Sequence, residues 1–182
     1  MGFFGCTIPD YGLPELSSTG YGLINRQIGY CGSSYRSALS VKSSLVMFSI
    51  YTNANKALKD LAKANKIGCF GLTEPNAGSD PAGMKSKAVD KDYHYVLNGS
   101  KTWITNSAYA EVFVYWTNYE AVDIRGFVLE RSKMEGISTP KIERKHSLRA
   151  STTVMIVLDN VEVPKEYVLN VKRLKGPFSC LK

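Results

Sequence analysis

A change of hydrophobic period near residue 66 divides this 182-residue chain into two parts that should fold differently. Before it, apolar residues follow helical spacing. After it, short β-branched and aromatic segments are separated by turn formers such as Glu135-Gly136 and Asp159-Asn160. We therefore predict an α+β chain, with residues 17–66 mainly helical and residues 68–163 forming an antiparallel barrel- or sandwich-like β domain. A parallel sheet with crossover helices is excluded, because the chain offers no room for those helices.

The spacing of apolar residues in the first part predicts three helices. Ser17 or Ser18 can cap the first helix, which Gly29 and Gly32 should interrupt. The second helix is expected over Ser34–Ile50, and a short amphipathic third helix within Asn53–Lys66. The second helix should bury the apolar positions Leu39, Val41, Leu45, Val46 and Ile50.

The β-branched and aromatic segments of the second part predict short strands. Ile67–Leu72 is the first, and a hairpin follows in which Tyr93–Leu97 and Ser100–Thr105 flank an Asn98-Gly99 turn of type I′. The remaining predicted strands are Val112–Trp116, Gly126–Glu130, Ile137–Pro140, Thr153–Leu158 and Val161–Val163.

Two stretches of the second part carry residues suited to a ligand site. The loop Glu74–Gly83 is rich in small residues, so its backbone N–H groups and hydroxyls can approach an anion. Trp103 and Thr105 lie two apart on a predicted strand and share a face, so a flat ring and a hydroxyl could meet a planar cofactor. Taken singly, such a loop is most often only a loop, and a strand tryptophan most often belongs to the core.

The formal charge of +7 does not by itself indicate a nucleic-acid partner. The Lys and Arg residues are scattered, with no run longer than a pair such as Arg144-Lys145, so a solvated basic surface is favoured. The four cysteines are far apart and neither His94 nor His146 has metal-like partners, which predicts reduced thiols and no metal site. No apolar run approaches membrane-spanning length.

In combination, the two stretches resemble a known family. The segment from Cys69 reads Cys-Phe-Gly-Leu-Thr-Glu-Pro-Asn-Ala-Gly-Ser-Asp, and that from Asn98 reads Asn-Gly-Ser-Lys-Thr-Trp-Ile-Thr-Asn. Together they resemble the flavin- and acyl-CoA-contacting signature of the acyl-CoA dehydrogenases. Within that family, Tyr35-Arg36-Ser37-Ala38 and Ser147-Leu148-Arg149-Ala150-Ser151 are most similar to glutaryl-CoA dehydrogenases. The resemblance covers nearly the whole chain, except that Asn53–Lys66 is shorter than its family counterpart.

This resemblance implies FAD as the cofactor and oxidative decarboxylation of glutaryl-CoA to crotonyl-CoA as the reaction. It implies cofactor contacts by Phe70, Gly71, Leu72, Thr73, Glu74, Pro75, Asn76, Ala77, Gly78, Ser79, Trp103, Ile104 and Thr105. It implies substrate contacts by Arg36, Ser37 and Ser79, with the Arg36 guanidinium facing the terminal carboxylate. From the residues alone, Arg36 is more simply a surface arginine near a helix start.

The resemblance also implies a domain layout. Residues 1–66 would be a partial N-terminal helical domain, residues 67–175 the middle β domain, and residues 176–182 the start of a C-terminal helical domain. In the family that last domain supplies the catalytic glutamate, further flavin contacts and most of the tetramer interface. No catalytic residue is therefore assigned in this chain. Glu74 is interpreted as structural, and we expect the isolated chain to be inactive and to hold FAD weakly.

The resemblance also implies partners and a location for the protein. It leaves a second function class open. An electron-transferring flavoprotein accepts the electrons in the intact family, whose members are homotetramers. The expected location is the mitochondrial matrix in a eukaryote or the cytoplasm in a bacterium. The alternative is a non-catalytic derivative that keeps the helix-plus-β core as a binding or interaction module.

Overall fold

The computed structural model describes residues 3–9, 12–55, 65–119 and 123–180. Helices precede residue 54 and strands dominate after residue 67, which confirms the predicted α+β order. Most of the third predicted helix, within Asn53–Lys66, lies outside the described residues. No helix in the described ranges is both long and apolar enough to cross a membrane.

The first helix, α1, spans Ser18–Cys31. The Ser17 side chain caps it by accepting a hydrogen bond from the Gly20 backbone N–H at 3.2 Å, which satisfies one of the free donors of the first turn. The predicted interruption at Gly32 is confirmed, because the helix ends there, but the one at Gly29 is wrong, because the helix continues to Cys31.

The second helix is continuous but changes its hydrogen-bond pattern midway. It begins as α2 (Ser33–Ser40), passes through a π-helical segment (Val41–Met47) and ends as α3 (Phe48–Asn53). The helix predicted over Ser34–Ile50 is confirmed and extends slightly at both ends. Its predicted apolar positions that are fully buried are Leu39, Val46 and Ile50.

In the described ranges after residue 67, eight strands form a single sheet. They are β1 (Gly68–Gly71), β2 (Lys87–Asp90), β3 (His94–Ile104), β4 (Val112–Tyr119), β5 (Asp123–Glu130), β6 (Ile137–Ser138), β7 (Val154–Pro164) and β8 (Val168–Lys172). The strand order is β6-β7-β3-β2-β4-β5-β8, with β1 paired to β4. The pairs β1–β4 and β2–β4 are parallel and the others are antiparallel. A short helix, α4 (Lys175–Phe178), follows β8. Strands β2 and β8 were not predicted.

The predicted hairpin at Asn98-Gly99 is wrong. Strand β3 runs through both residues and pairs with β2 on one side and β7 on the other. Gly99 has φ 149°, and a Cβ added there would lie 2.3 Å from Ser86 Oγ. The glycine therefore permits a bulge and a close approach of backbones instead of a turn. Asn98 Nδ2 donates a hydrogen bond to Asn160 Oδ1 at 3.2 Å.

The predicted break at Asp159-Asn160 is also wrong, since β7 is one strand. Thr153–Leu158 and Val161–Val163 are joined at the irregularity where β7 meets the β3 bulge. Asn160 takes a left-handed conformation there, with φ 49°. Asparagine tolerates this conformation, so a turn-forming residue is used inside a strand.

The central strand β4 is buried on both faces, because the helices cover one face and the curved sheet covers the other. Alternate residues of β4 enter separate apolar clusters, as the period of a strand requires. Val112, Val114 and Trp116 pack with the helical residues Val46, Met47 and Ile50. Phe113 and Tyr115 pack with residues of β3, β5 and β7, including Leu97, Phe127 and Ile156.

A buried ion pair fastens the loop after β1 to β3. Lys101 Nζ lies 2.8 Å from Glu74 Oε1 and 3.0 Å from the Leu72 carbonyl oxygen. The Glu74 carboxylate also accepts hydrogen bonds from the backbone N–H groups of Lys85 at 2.5 Å and Ser86 at 3.0 Å. The Lys101 side chain is fully buried and that of Glu74 is 6% exposed. The loop is thus attached to β3 and to the start of β2 through one carboxylate.

Burial and hydrogen bonding act on this pair in opposite directions. Burial raises the pKa of Glu74, but the hydrogen bonds from Lys101, Lys85 and Ser86 together outweigh it and hold the pKa below its usual value. Burial lowers the pKa of Lys101 to about 8, and the bond to Glu74 opposes that fall. Both groups are therefore charged at neutral pH.

A double-mutant cycle on this pair should show strong coupling. Glu74→Gln or Lys101→Met alone should lower the free energy of unfolding by about 3–5 kcal/mol, because each leaves a buried group without its partner. The double variant should lose clearly less than the sum of the single losses. Urea denaturation measures all four free energies. Losses that add to within about 0.5 kcal/mol would show that the two side chains act independently.

The lowered pKa of Glu74 also predicts sensitivity to acid. Because its folded pKa lies below its unfolded pKa, the carboxylate stabilises the fold above the unfolded value of about 4.3, and this stabilisation is lost as the pH falls through the folded value. Glu74→Gln should therefore flatten the acid limb of unfolding free energy against pH. Glu143→Gln is the matched control, since Glu143 is exposed and its ion pair with Lys141, at 3.2 Å, lies at the surface. Equal flattening in both variants would contradict the assignment.

Candidate functional site

One cavity lies where the loop after β1, the end of β3 and the π-helical segment meet. Its volume is about 380 Å³, within the range of roughly 300–1,000 Å³ typical of small-molecule sites. The predicted site residues that line it are Phe70, Leu72, Thr73, Gly78, Ser79, Trp103, Ile104 and Thr105. Val41, Leu45, Pro81 and Phe178 complete the lining. The fold thus brings members of both predicted motifs to one place.

Strand β3 reaches the cavity through a local distortion. Trp103 has φ 60°, and the register of β3 against β7 shifts between Lys101 and Ile104. Trp103 is consequently 60% exposed, so its ring is accessible at the cavity and is not part of the core. The Thr105 hydroxyl lies 3.3 Å from the Thr153 hydroxyl on the neighbouring strand, and this contact restricts its orientation.

The loop side of the cavity presents two hydroxyl groups. In the part of the chain that the structure describes, neither the Thr73 nor the Ser79 hydroxyl has a hydrogen-bond partner. The Thr73 carbonyl accepts the Thr102 backbone N–H at 2.9 Å, which fixes the backbone of the loop against β3. Each hydroxyl can donate one hydrogen bond and accept others, so both are available to the polar edge of a ligand.

The other predicted cofactor residues do not line the cavity. Glu74 and Ala77 exchange backbone hydrogen bonds of 3.1 and 3.2 Å, which leaves Pro75 and Asn76 at an exposed tip. A Cβ added at Gly71 would lie 3.2 Å from the Tyr115 ring, so this glycine faces the core. These residues shape the loop, and a direct role for them in cofactor binding stays a prediction.

Arg36 and Ser37 lie on α2 and do not line the cavity. Both are half-buried. Ser37 precedes Val41 by four residues and therefore lies close to the cavity side of the helix, with Arg36 adjacent to it. Their contact with a substrate stays a prediction.

Four lining residues escaped sequence reasoning. Val41 and Leu45 follow a spacing of four, but the sequence analysis placed them in the core, whereas they are only partly buried at the edge of the helical cluster. The small residues around them, such as Ser40 and Ser44, permit close approach of either another helix or a ligand, so they were an ambiguous signal. Pro81 begins a short 3₁₀ turn, Pro81–Gly83. Phe178 is 47% exposed and carries no local motif that would mark it.

A larger concavity of about 760 Å³ lies elsewhere, beside β7 and the turn Lys165–Tyr167. It is lined by groups of both charges, such as Lys133 and Glu162, and by no predicted site residue. The smaller cavity is the better candidate, because both sequence motifs converge on it. Among the described residues, no Asp or Glu lines that cavity, and no group of three or more His, Cys, Asp or Glu could hold a metal ion.

Comparison with known proteins finds close relatives over the whole chain. The glutaryl-CoA dehydrogenase of Desulfococcus multivorans is 39% identical over 93% of this chain and 46% of its own length. The short-chain-specific acyl-CoA dehydrogenase of Clostridium acetobutylicum is 41% identical over 66% of this chain and 32% of its own. The crystal structure of a glutaryl-CoA dehydrogenase from Mycobacterium smegmatis in complex with FADH2 superposes with a TM-score of 0.93 at 40% identity, over 99% of this chain and 48% of that one.

The chain therefore spans about half the length of the glutaryl-CoA dehydrogenases it matches. Two family profiles also match it. They are the acyl-CoA dehydrogenase N-terminal domain over residues 1–75 and the acyl-CoA dehydrogenase middle domain over residues 69–161. The middle-domain match by itself covers more than half of the sequence, and the chain belongs to the acyl-CoA dehydrogenase family.

Proposed function

We propose that the 380 Å³ cavity is the flavin end of an FAD site, and that the protein serves FAD-dependent dehydrogenation of an acyl-CoA of the glutaryl-CoA type. One observation carries the proposal. Thr73 and Ser79 lie on the loop, Trp103 on β3 and Thr105 directly after it; the two pairs are distant in sequence but line the same cavity. These are the residues through which the family signature was expected to act.

The residues present fit a flavin ring. A planar ring system needs an apolar wall to stack on and hydrogen-bond partners around its edge. Phe70, Leu72 and the exposed Trp103 ring supply apolar surface. The unpartnered Thr73 and Ser79 hydroxyls supply the polar edge.

The chain's own residues bind and orient, and the redox chemistry belongs to the cofactor. When bound, FAD supplies a ring that accepts a hydride from the acyl chain. Loss of the α-proton requires a carboxylate within reach of it. Since no Asp or Glu lines the cavity among the described residues, that carboxylate must come from outside this lining. An electron-transferring flavoprotein is proposed as the electron acceptor on family membership.

Arg36 favours a dicarboxylic acyl group as the substrate. The relatives above carry both glutaryl-CoA and short-chain names at similar identity, so identity does not separate these substrates. A guanidinium can pair with a terminal carboxylate through two parallel hydrogen bonds, whereas a fatty acyl chain would favour an apolar contact. Arg36 precedes Ser37 on α2, and Ser37 lies four residues before the lining residue Val41.

A binding or interaction module is the second candidate function. The observation in its favour is the lack of a carboxylate in the cavity lining of the described residues. The two candidates differ in whether a flavin bound here is reduced by an acyl-CoA.

We expect the purified chain to bind FAD weakly and to leave it oxidised when glutaryl-CoA is added without oxygen. Binding should be weak because the exposed Trp103 leaves one side of the flavin ring partly open to solvent. The flavin should stay oxidised because no carboxylate in the described lining can remove the α-proton. Absorbance between the near ultraviolet and the blue measures both properties. Stoichiometric flavin that bleaches with substrate would show that the chain is active alone.

Trp103→Ala should weaken FAD binding by about two- to tenfold, the value of one aromatic contact. Tyr93→Ala is the matched control, because Tyr93 is an 89% exposed aromatic residue outside the cavity. Flavin titration measures both dissociation constants. Unchanged affinity in Trp103→Ala would place the flavin elsewhere.

The substrate proposal can be tested in a chimera in which this chain is completed by the remaining half of the D. multivorans relative. Arg36→Ala should lower kcat/KM for glutaryl-CoA by about one to two decades relative to butyryl-CoA, because one charge-assisted contact contributes roughly 1.5–3 kcal/mol. Arg26→Ala on exposed α1 is the control, with its guanidinium near Tyr30. Equal losses on both substrates would make Arg36 structural.

A further inference from the structure

The second helix leaves the α-helical pattern where it meets the cavity. The Val41 backbone N–H bonds to the carbonyls of both Ala38 and Ser37, and the π-helical segment Val41–Met47 begins at that residue. Val41 and Leu45 of this segment line the cavity. Isolated π-helical stretches within α-helices are rare and occur frequently at functional sites.

One side chain from the end of β3 reaches this point. Asn106 Nδ2 donates to the Ala38 carbonyl at 3.2 Å and to the Gly68 carbonyl at 3.4 Å. Asn106 is 8% exposed and has φ 69°. Asparagine tolerates this left-handed conformation, and only a short side chain with an amide donor can make both contacts from it.

These contacts connect three walls of the cavity. Ala38 lies one turn before Val41 on the helical wall. Gly68 begins β1, and Phe70 of the same strand lines the cavity. Asn106 directly follows Thr105 on the β3 wall. A single buried amide therefore bridges the three elements whose separation determines the width of the cavity.

We propose that Asn106 is a positioning residue that sets the spacing between the π-helical wall and the two strand walls of the cavity. The inference rests on the proposed flavin site for the identity of the ligand, but the bridge itself is independent of it. Without the amide, the Ala38 and Gly68 carbonyls lose a shared donor. The helical wall can then move relative to β1.

The test compares Asn106→Gly with the matched control Asn160→Gly. Both residues have positive φ, 69° and 49°, which glycine adopts freely, so neither variant strains the backbone. Both lose side-chain hydrogen bonds, but Asn160 bonds to Asn98 and Asp159 outside the cavity. Asn106→Asp is the second Asn106 variant, because it keeps the shape and replaces the donor by an acceptor that faces two carbonyls.

The first readout is hydrogen exchange, which needs no flavin. Amides of Val41–Met47 should exchange roughly tenfold faster in Asn106→Gly and in Asn106→Asp than in Asn160→Gly, at similar global stability by urea denaturation, because about one hydrogen bond of local protection is lost. If Asn106→Gly does not fold, the exchange rates of Asn106→Asp alone are compared with those of the control. Exchange in the π-helical segment equal to that of the control overturns the proposal.

The second readout is FAD titration. Asn106→Gly should weaken FAD binding at least threefold while Asn160→Gly leaves it unchanged. A wild-type chain that binds no flavin, with the expected exchange difference, would refute the flavin site and support the bridge. Flavin binding that is equal in both variants overturns the positioning role, since the width of the cavity would then not depend on Asn106.

Discussion

The buried pair of Glu74 and Lys101 is the contact on which the site depends. One carboxylate holds the loop after β1, the start of β2 and the centre of β3 together, with Lys101 Nζ 2.8 Å from Glu74 Oε1. Glu74 lies in the middle of the flavin-family signature, but its side chain is directed into the protein. The structural role of Glu74 explains its position in the motif. Its partner Lys101 also donates to the Leu72 carbonyl, and this contact holds Leu72 and Thr73 at the cavity.

Irregular backbone conformations in β3, β7 and the second helix shape the rest of the structure around the site. Gly99 and Asn160 lie at the register shift between β3 and β7. Trp103 and Asn106 use positive φ at the cavity end of β3, and the second helix becomes π-helical opposite them. Regular strands and helices would direct the Trp103 ring into the sheet packing. The departures at Trp103, at Asn106 and in the second helix lie around the cavity, as expected when a fold is locally distorted for function.

The cavity separates binding from chemistry. Its described lining is apolar surface and hydroxyl groups, which can hold and orient a flat ligand but cannot remove a proton from carbon. The proposed reaction therefore divides its requirements between this chain and a carboxylate from outside the lining.

Periodicity and local chemistry were sufficient to predict the helix-to-sheet order, a serine cap at Ser17 or Ser18 and the second helix, because these features depend on neighbours in sequence. They also drew attention to the loop Glu74–Gly83 and to Trp103 and Thr105, whose role as a ligand site stays a prediction. The predicted turns at Asn98-Gly99 and Asp159-Asn160 failed because the same residues suit a turn and a bulge. Only strand pairing chooses between these two outcomes, and pairing is a long-range property. Asn106 ends the second signature segment, but its contacts with Ala38 and Gly68 are long-range, and so is the contribution of Phe178 to the cavity. No local pattern indicates such contacts.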